Sequence, residues 1–168
     1  EDLFIEYFNQ HPEVKLIIAP HVIDENHLVE IIRKLKRPYV RYTRANEKNV
    51  RKADCLIIDC FGLLSSIYRY GEIAYIGGGF GVGIHNTLEA AVYGIPVIFG
   101  PKYQKFQEAI QLLETKGAFS VKDYEELKTL LDRMLTDEVF LRESGMNASN
   151  YVTSNAGATD KIMSMINF

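Results

Sequence analysis

Residues 74–100 narrow the possible folds of this chain more than any other segment does. They read as a strand, a glycine-rich loop, a helix, a turn and a second strand. Glycine adopts positive φ values and lets backbone N–H groups approach a ligand closely, and a following helix points its positive end at the loop. The segment therefore predicts an anion site, most often one for phosphate. Five glycines lie within seven positions of this loop: Gly77, Gly78, Gly79, Gly81 and Gly83.

The spacing of these glycines excludes two common phosphate-binding classes. It fits neither G-x-G-x-x-G nor G-x-x-x-x-G-K-[ST] in any register. A dinucleotide-dependent dehydrogenase and a P-loop NTPase are therefore both disfavoured.

Short hydrophobic strands alternate with helices along the chain, which predicts an α/β fold. Such alternation is typical of a doubly wound, Rossmann-like parallel sheet covered by helices on both faces. Ligands bind at the carboxyl ends of its strands, where Asp59, the loop 77–85 and the loop 100–103 are expected. The predicted strands are 15–19, 39–42, 55–59, 73–76, 96–99 and 118–121, and the predicted helices are 3–9, 24–35, 62–70, 87–93, 104–115, 124–135, 138–151 and 158–166.

Length and charge indicate one soluble domain with an uneven surface. The 168 residues carry a net charge of −3, which does not favour nucleic-acid binding. Nine of the 19 Lys and Arg residues nevertheless lie between positions 33 and 52, against the single acid Glu47. This segment is either a solvated surface or a patch for an anionic ligand or membrane. Cys55 and Cys60 are expected to be reduced, buried thiols.

Several residues near the predicted strand ends have both a functional and a structural interpretation. Glu89 either completes a capping box with Asn86 or accepts the hydroxyls of a ribose. His85 either donates to a phosphate or is a turn residue. Asp59 is equally a candidate cap for the helix beginning at Gly62. The histidines show no metal-ligand spacing, so no metal site is expected. Lys102 and Lys105 are expected at the surface, and Asn155 is expected to cap the last helix.

Residues 77–101 combine the run Gly77-Gly-Gly79, the block His85-Asn-Thr-Leu-Glu89 and a Gly-Ile-Pro-Val-Ile-Phe-Gly-Pro ending. They resemble the pattern G-G-S…G-G-H-N-x-L-E…G-x-P-V-x-x-G-P of the 3-deoxy-D-manno-octulosonic acid (Kdo) transferases. The resemblance covers essentially the whole chain: residues 59–64 are similar to D-T-x-G-E-L, residues 19–21 fall at V-P-R-H, and residues 155–158 match N-x-G-A. It implies the C-terminal, donor-binding half of a GT-B fold.

The resemblance also implies an activity and a partner set. The family transfers Kdo from CMP-Kdo to lipid A precursor in lipopolysaccharide biosynthesis of Gram-negative bacteria, at the cytoplasmic face of the inner membrane. The expected mechanism is inverting and metal-independent, with no cofactor besides the donor substrate. The catalytic base and the acceptor groove belong to an N-terminal domain, so residues 1–168 are expected to be an inactive fragment without catalytic residues. The implied donor-contacting residues are Pro20, His21, Phe61, Gly62, Gly78, Gly79, Gly83, His85, Asn86 and Glu89.

The chain departs from the family pattern at three places. Leu63 stands where the family has Glu, and Thr87 replaces a proline at the start of a helix. His21 stands where an arginine is expected, which leaves His27 or Arg44 as alternative phosphate contacts. Three alternatives remain open: a UDP-sugar GT-B hexosyltransferase, a UDP-N-acetylglucosamine 2-epimerase-like enzyme and a non-catalytic nucleotide-binding module.

Overall fold

The computed structural model describes residues 1–157 and residue 163. The chain forms two compact units. Unit 1 contains residues 1–71 and 123–128, and unit 2 contains the described part of residues 72–122 and 129–168. Each unit is built on its own three-stranded sheet.

Unit 1 has a parallel sheet in the order β1-β3-β2, with Ile18 and Arg41 both in register with Ile57 of the central strand. Apolar residues of its helices pack against this sheet in a core that includes Phe8, Leu28 and Ile57. Its strands are β1 (Leu16–Ile18), β2 (Tyr39–Arg41) and β3 (Cys55–Ile57), and its helices are α1 (Asp2–Gln10), α2 (Glu25–Lys34), α3 (Glu47–Val50) and α4 (Leu64–Ile67), with 3₁₀ turns at Tyr42–Arg44 and Tyr68–Tyr70.

Unit 2 has a second parallel sheet in the order β4-β5-β6, whose central strand is wholly buried. A run of apolar residues without alternation is typical of a strand covered on both faces. The strands are β4 (Ala74–Ile76), β5 (Val97–Phe99) and β6 (Ala118–Ser120); the helices are α5 (Leu88–Ala91), α6 (Gln107–Glu114) and α8 (Glu138–Asn155), and α7 (Tyr124–Thr136) has residues in both units.

The predicted α/β class with parallel strands is confirmed, and the strands are distributed over two sheets. Every predicted strand is present but shorter than expected, and α3 was not predicted. Cys55 is buried as predicted, whereas Cys60 is only half-buried; both are free thiols. Apart from residue 163, the predicted helix at 158–166 lies outside the described residues, as does the last residue of the N-x-G-A match; Asn155 is the final residue of α8.

Candidate functional site

The glycine loop of unit 2 is folded back on itself directly after β4. Its neck is closed by hydrogen bonds from Gly81 N to the Gly78 carbonyl (2.8 Å) and from His85 N to the Gly77 carbonyl (3.2 Å). Gly78 has a φ of +88°, and a Cβ atom there would lie 2.2 Å from the Gly83 carbonyl oxygen. Only glycine tolerates both the positive φ and the lack of space for a Cβ atom, so the tight backbone of the loop explains the glycine at position 78.

A second loop, at the end of β5, supports the glycine loop from the side. Gly79 and Gly100 approach so closely that a Cβ on Gly79 would lie 2.6 Å from the Gly100 nitrogen. Lys102 N donates to the Gly79 carbonyl at 2.9 Å, and the Phe106 ring lies where a Gly83 side chain would otherwise extend. The two loops predicted at strand ends therefore meet within unit 2. Lys105, near this contact, is exposed as expected.

The loop leaves backbone donors available for an anion. Within the described residues, the amides of Gly78, Gly79 and Gly83 donate to no backbone carbonyl. The predicted contribution of a helix dipole is not supported, because α5 has only four residues and aligns few peptide dipoles. A phosphate at this loop would depend on individual N–H groups.

Asn86 and Glu89 form a side-chain pair beside the loop. Asn86 Nδ2 donates to Glu89 Oε1 at 3.0 Å, and Asn86 Oδ1 accepts from Leu88 N at 3.0 Å. The capping-box interpretation is wrong in its detail, because Glu89 meets the asparagine side chain and not its backbone N–H. The pair leaves Glu89 half-buried with a second carboxylate oxygen for a ligand. Both His85 and Asn86 are exposed.

Thr87, between these residues and α5, is fully buried. Its hydroxyl is without a hydrogen-bond partner among the described residues. The replacement of the family's proline by threonine therefore places a polar atom in an apolar environment, where it opposes folding.

In unit 1 the remaining predicted residues follow β1 and β3, which are neighbours in the sheet. Ile58 N donates to the Ile18 carbonyl at 2.8 Å, so Pro20 and Phe61 leave the same carboxyl edge. Pro20 is buried, whereas His21 and Gly62 are exposed and the Phe61 side chain is 82% exposed. Because the Phe61 ring is so exposed to water, it is available to contact a ligand or another molecule.

Asp59 lies at the same edge and has a role that the sequence did not reveal. Its side chain is 1% exposed and accepts from Arg41 Nε (2.8 Å), Thr43 N (2.8 Å) and Thr43 Oγ1 (2.6 Å). Burial favours the neutral acid, but these hydrogen bonds prevail and lower the pKa of Asp59 to about 2. Asp59 therefore ties the turn after β2 to the end of β3. The prediction that it caps the next helix is wrong, since α4 begins after Leu63 without a side-chain cap.

The basic segment 33–52 divides into buried and exposed cations. Arg37 donates to the carbonyls of Phe8, His11 and Pro12 and lies 3.3 Å from Asp54. Arg41 is bonded to Asp59 and Glu25, and its side chain is 13% exposed. Both arginine side chains therefore stabilise the fold through internal contacts, and they do not form part of a surface patch for an anionic ligand or membrane. Of the alternative phosphate contacts, His27 Nε2 lies 3.1 Å from Glu1, while Arg44 is exposed.

The described residues offer neither a metal cluster nor a membrane-spanning helix. Residues 1–157 contain no cluster of three His, Cys, Asp or Glu side chains that would hold a metal ion. None of the helices in that part of the chain combines the length and hydropathy that crossing a bilayer requires.

The sequences of known proteins align with most of this chain. It is 36% identical over 135 residues to the 3-deoxy-D-manno-octulosonic acid transferase of Aquifex aeolicus, covering 79% of the chain and 37% of the relative. It is 32% identical over 124 residues to the same enzyme of Rickettsia felis, covering 72% and 27%. The chain thus spans about a third of the length of these relatives. No protein-family model matches it.

A solved structure has the same fold. The C-terminal CMP-Kdo binding domain of WaaA from Acinetobacter baumannii superposes with a TM-score of 0.76 over 90% of this chain and 80% of that domain, at 19% identity. The predicted architecture, the C-terminal half of a GT-B fold, is therefore confirmed. The predicted resemblance to Kdo transferases is confirmed by the sequence relatives.

Proposed function

Since this chain is related in sequence to the 3-deoxy-D-manno-octulosonic acid transferases, we propose that it is the donor-binding part of a Kdo glycosyltransferase. The observation that carries the proposal is the glycine loop of unit 2 beside the Asn86–Glu89 pair. This arrangement offers backbone donors for a phosphate and, next to them, a carboxylate for a sugar diol. The ligand proposed for it is CMP-Kdo.

The phosphate of the donor is assigned to the loop. The amides of Gly78, Gly79 and Gly83 donate to no backbone carbonyl and can therefore donate to a phosphate. Hydrogen bonds from backbone N–H groups to an anion are charge-assisted. His85, exposed at the end of the loop, adds a ring N–H donor. In the proposed metal-independent mechanism, these N–H groups would stabilise the phosphate in place of a metal ion.

The ribose is assigned to Glu89. One carboxylate oxygen accepts from Asn86, which fixes the side-chain orientation, and the other is left for the 2′- and 3′-hydroxyls. A hydrogen bond to a charged acceptor contributes about 1.5–3 kcal/mol. Glu89 therefore has the chemistry to distinguish a ribonucleotide from a deoxyribonucleotide. The assignment of Pro20, His21, Phe61 and Gly62 to the nucleotide remains a separate prediction, to be tested by substitutions in unit 1.

The full reaction requires more than this chain. We assign it to the inverting transfer of Kdo to lipid A precursor at the cytoplasmic face of the inner membrane, in lipopolysaccharide biosynthesis. The departing CMP would be stabilised by the loop amides, while the base and the acceptor groove would come from an N-terminal domain. The 168 residues alone are therefore expected to bind the donor without transferring sugar.

Calorimetric titration with CMP, UDP and UDP-N-acetylglucosamine tests the proposal. We expect CMP to bind more tightly than either uridine nucleotide, with the same affinity in the presence of EDTA. A preference for UDP would favour a hexosyltransferase, and a preference for UDP-N-acetylglucosamine would favour a 2-epimerase-like enzyme. Kdo transfer by the chain alone would contradict the proposal that the catalytic base and the acceptor groove belong to an N-terminal domain.

A further inference from the structure

Unit 1 carries a cationic surface, formed by Arg44, Lys48, Arg51 and Lys52, of which only Arg44 is also an alternative contact for the donor phosphate. We infer that this basic surface docks unit 1 onto an anionic lipid bilayer. The inference deepens the proposed function, because it names the residues through which a membrane-associated transferase would meet its lipid environment. It has its own readout, vesicle binding, which requires no nucleotide.

The basic surface is held in shape by two asparagines. Asn46 Oδ1 accepts from Asn49 N at 3.2 Å, and Asn49 Oδ1 accepts from Asn46 N at 2.8 Å, so the capping box of α3 is complete. Asn49 Nδ2 also donates to the Arg44 carbonyl at 2.9 Å, which ties the preceding 3₁₀ turn to the helix. A segment of eleven mostly polar residues thus has a defined fold.

The helical turn brings three of the cations, Lys48, Arg51 and Lys52, to one side of the segment. Lys48, Arg51 and Lys52 are spaced i, i+3 and i+4, and the helical turn continues past α3 through hydrogen bonds from Lys52 N to Asn49 and from Ala53 N to Val50. Residues with this spacing are neighbours on a helical surface. Like charges placed together repel one another, which opposes folding unless a partner uses them.

The cations of the basic surface form no ion pairs with the described residues, and only Arg44 has an acidic side chain, Glu25, near enough to interact electrostatically. Other cations of the segment have acidic partners: Lys34 with Asp2, Arg37 with Asp54, and Arg41 with Glu25 and Asp59. In contrast, none of the four cations of the basic surface is in an ion pair with a described residue, and all four are exposed. Only Glu47 contributes a negative charge to residues 42–52.

The form of the surface favours a bilayer over other anionic partners. Tyr42, which is 45% exposed, adds an aromatic side chain of the kind that lies at a membrane interface. A four-residue helix is too short to read a nucleic-acid groove. Each Lys or Arg near an anionic membrane strengthens binding by about fivefold.

Sedimentation with vesicles tests the inference in this chain. The vesicles contain either phosphatidylglycerol with phosphatidylcholine or phosphatidylcholine alone. The variant is Lys48→Gln, Arg51→Gln, Lys52→Gln; it keeps Arg44, an alternative phosphate contact. The matched control, Arg33→Gln, Lys36→Gln, Arg69→Gln, removes three other exposed cations of unit 1 and so has the same net charge.

We expect the unmodified chain and the control to bind the anionic vesicles, less tightly as salt is added. The test variant should bind them about a hundredfold more weakly. Equal loss in the two variants would show a net-charge effect only and overturn the inference. Equal binding to both kinds of vesicle, no binding of the unmodified chain, or a preference for duplex DNA would overturn it as well. CMP titration of the same variants separates this failure from a failure of the donor site.

Discussion

Asp59 accepts a 2.8 Å hydrogen bond from Arg41 Nε with only 1% of its side chain exposed to solvent. Thr43 completes the coordination of the carboxylate through its amide and hydroxyl. The three residues fasten the end of β2 to the end of β3. They therefore fix the sheet edge from which Phe61 and the basic surface project.

Asp59→Asn is expected to lower the free energy of unfolding by about 3 kcal/mol at pH 7, since it removes one partner of a buried ion pair. The effect should depend on pH. The pKa of Asp59 in the folded chain is about 2, below its ordinary value of 3.8. The stability that the carboxylate provides is thus complete above pH 4 and is lost as the pH falls towards 2.

Urea unfolding of the two proteins between pH 7 and pH 2.5 checks this prediction. The difference between them should shrink below pH 4. Glu13→Gln is the control, because Glu13 is exposed. This variant and the unmodified chain should have nearly the same free energy of unfolding at every pH. A gap of constant size at every pH would contradict the assigned role of the carboxylate.

Arg37→Gln is expected to destabilise the chain by about 2–4 kcal/mol. The substitution removes charge-assisted hydrogen bonds to three backbone carbonyls and a contact 4.0 Å from the centre of the Phe8 ring. Lys36→Gln, at the neighbouring exposed position, should change the free energy of unfolding by less than about 0.5 kcal/mol. Chemical denaturation of both variants measures their free energies of unfolding. Equal values would show that Arg37 behaves as a solvated surface residue and does not stabilise the fold.

Gly79→Ala is expected to destabilise unit 2 by about 1–3 kcal/mol and to weaken CMP binding, because its Cβ would press against the backbone of Gly100. Gly77→Ala is the matched control, since its nearest neighbour would be the His85 ring at 3.8 Å. Thermal unfolding and CMP titration should separate the two alanine variants; identical behaviour would contradict the packing argument.

Thr87→Val is expected to raise the free energy of unfolding by about 1 kcal/mol, because it replaces a buried hydroxyl without a partner by a methyl group of similar size. Thr115→Val should have the opposite sign, since the Thr115 hydroxyl donates to the Leu112 carbonyl at 3.2 Å. Thermal melts of the two variants provide the comparison. A loss of stability in Thr87→Val would show that the hydroxyl is satisfied.

Local patterns were sufficient for most of the secondary structure and for the glycine loop. The spacing of Leu28 and Ile31 indicated α2, and Asp24 caps it through bonds to Asn26 N and His27 N. The glycines marked the loop because close backbone contacts leave no room for side chains. The helix α3 was missed because its capping box uses two asparagines in place of the usual serine and glutamate.

Contacts between distant segments could not be read from the sequence. Arg37 and Arg41 were grouped with a basic run, but Arg37 bonds to carbonyls 25–29 residues away and Arg41 to carboxylates 16 and 18 residues away. The support of the glycine loop by Gly100 and Phe106 likewise depends on which strands pair. A run of like charges shows only that cations are abundant; the fold decides which of them face solvent.

We propose that Glu89 holds the ribose of a cytidine nucleotide, and titration with CMP and 2′-deoxy-CMP tests this assignment. The unmodified chain should prefer CMP, while Glu89→Gln should lose about tenfold or more in affinity for CMP and little for the deoxynucleotide. Glu143→Gln, an exposed carboxylate on α8, should retain the preference. If Glu89→Gln discriminates between the two nucleotides as well as the unmodified chain does, Glu89 does not hold the ribose.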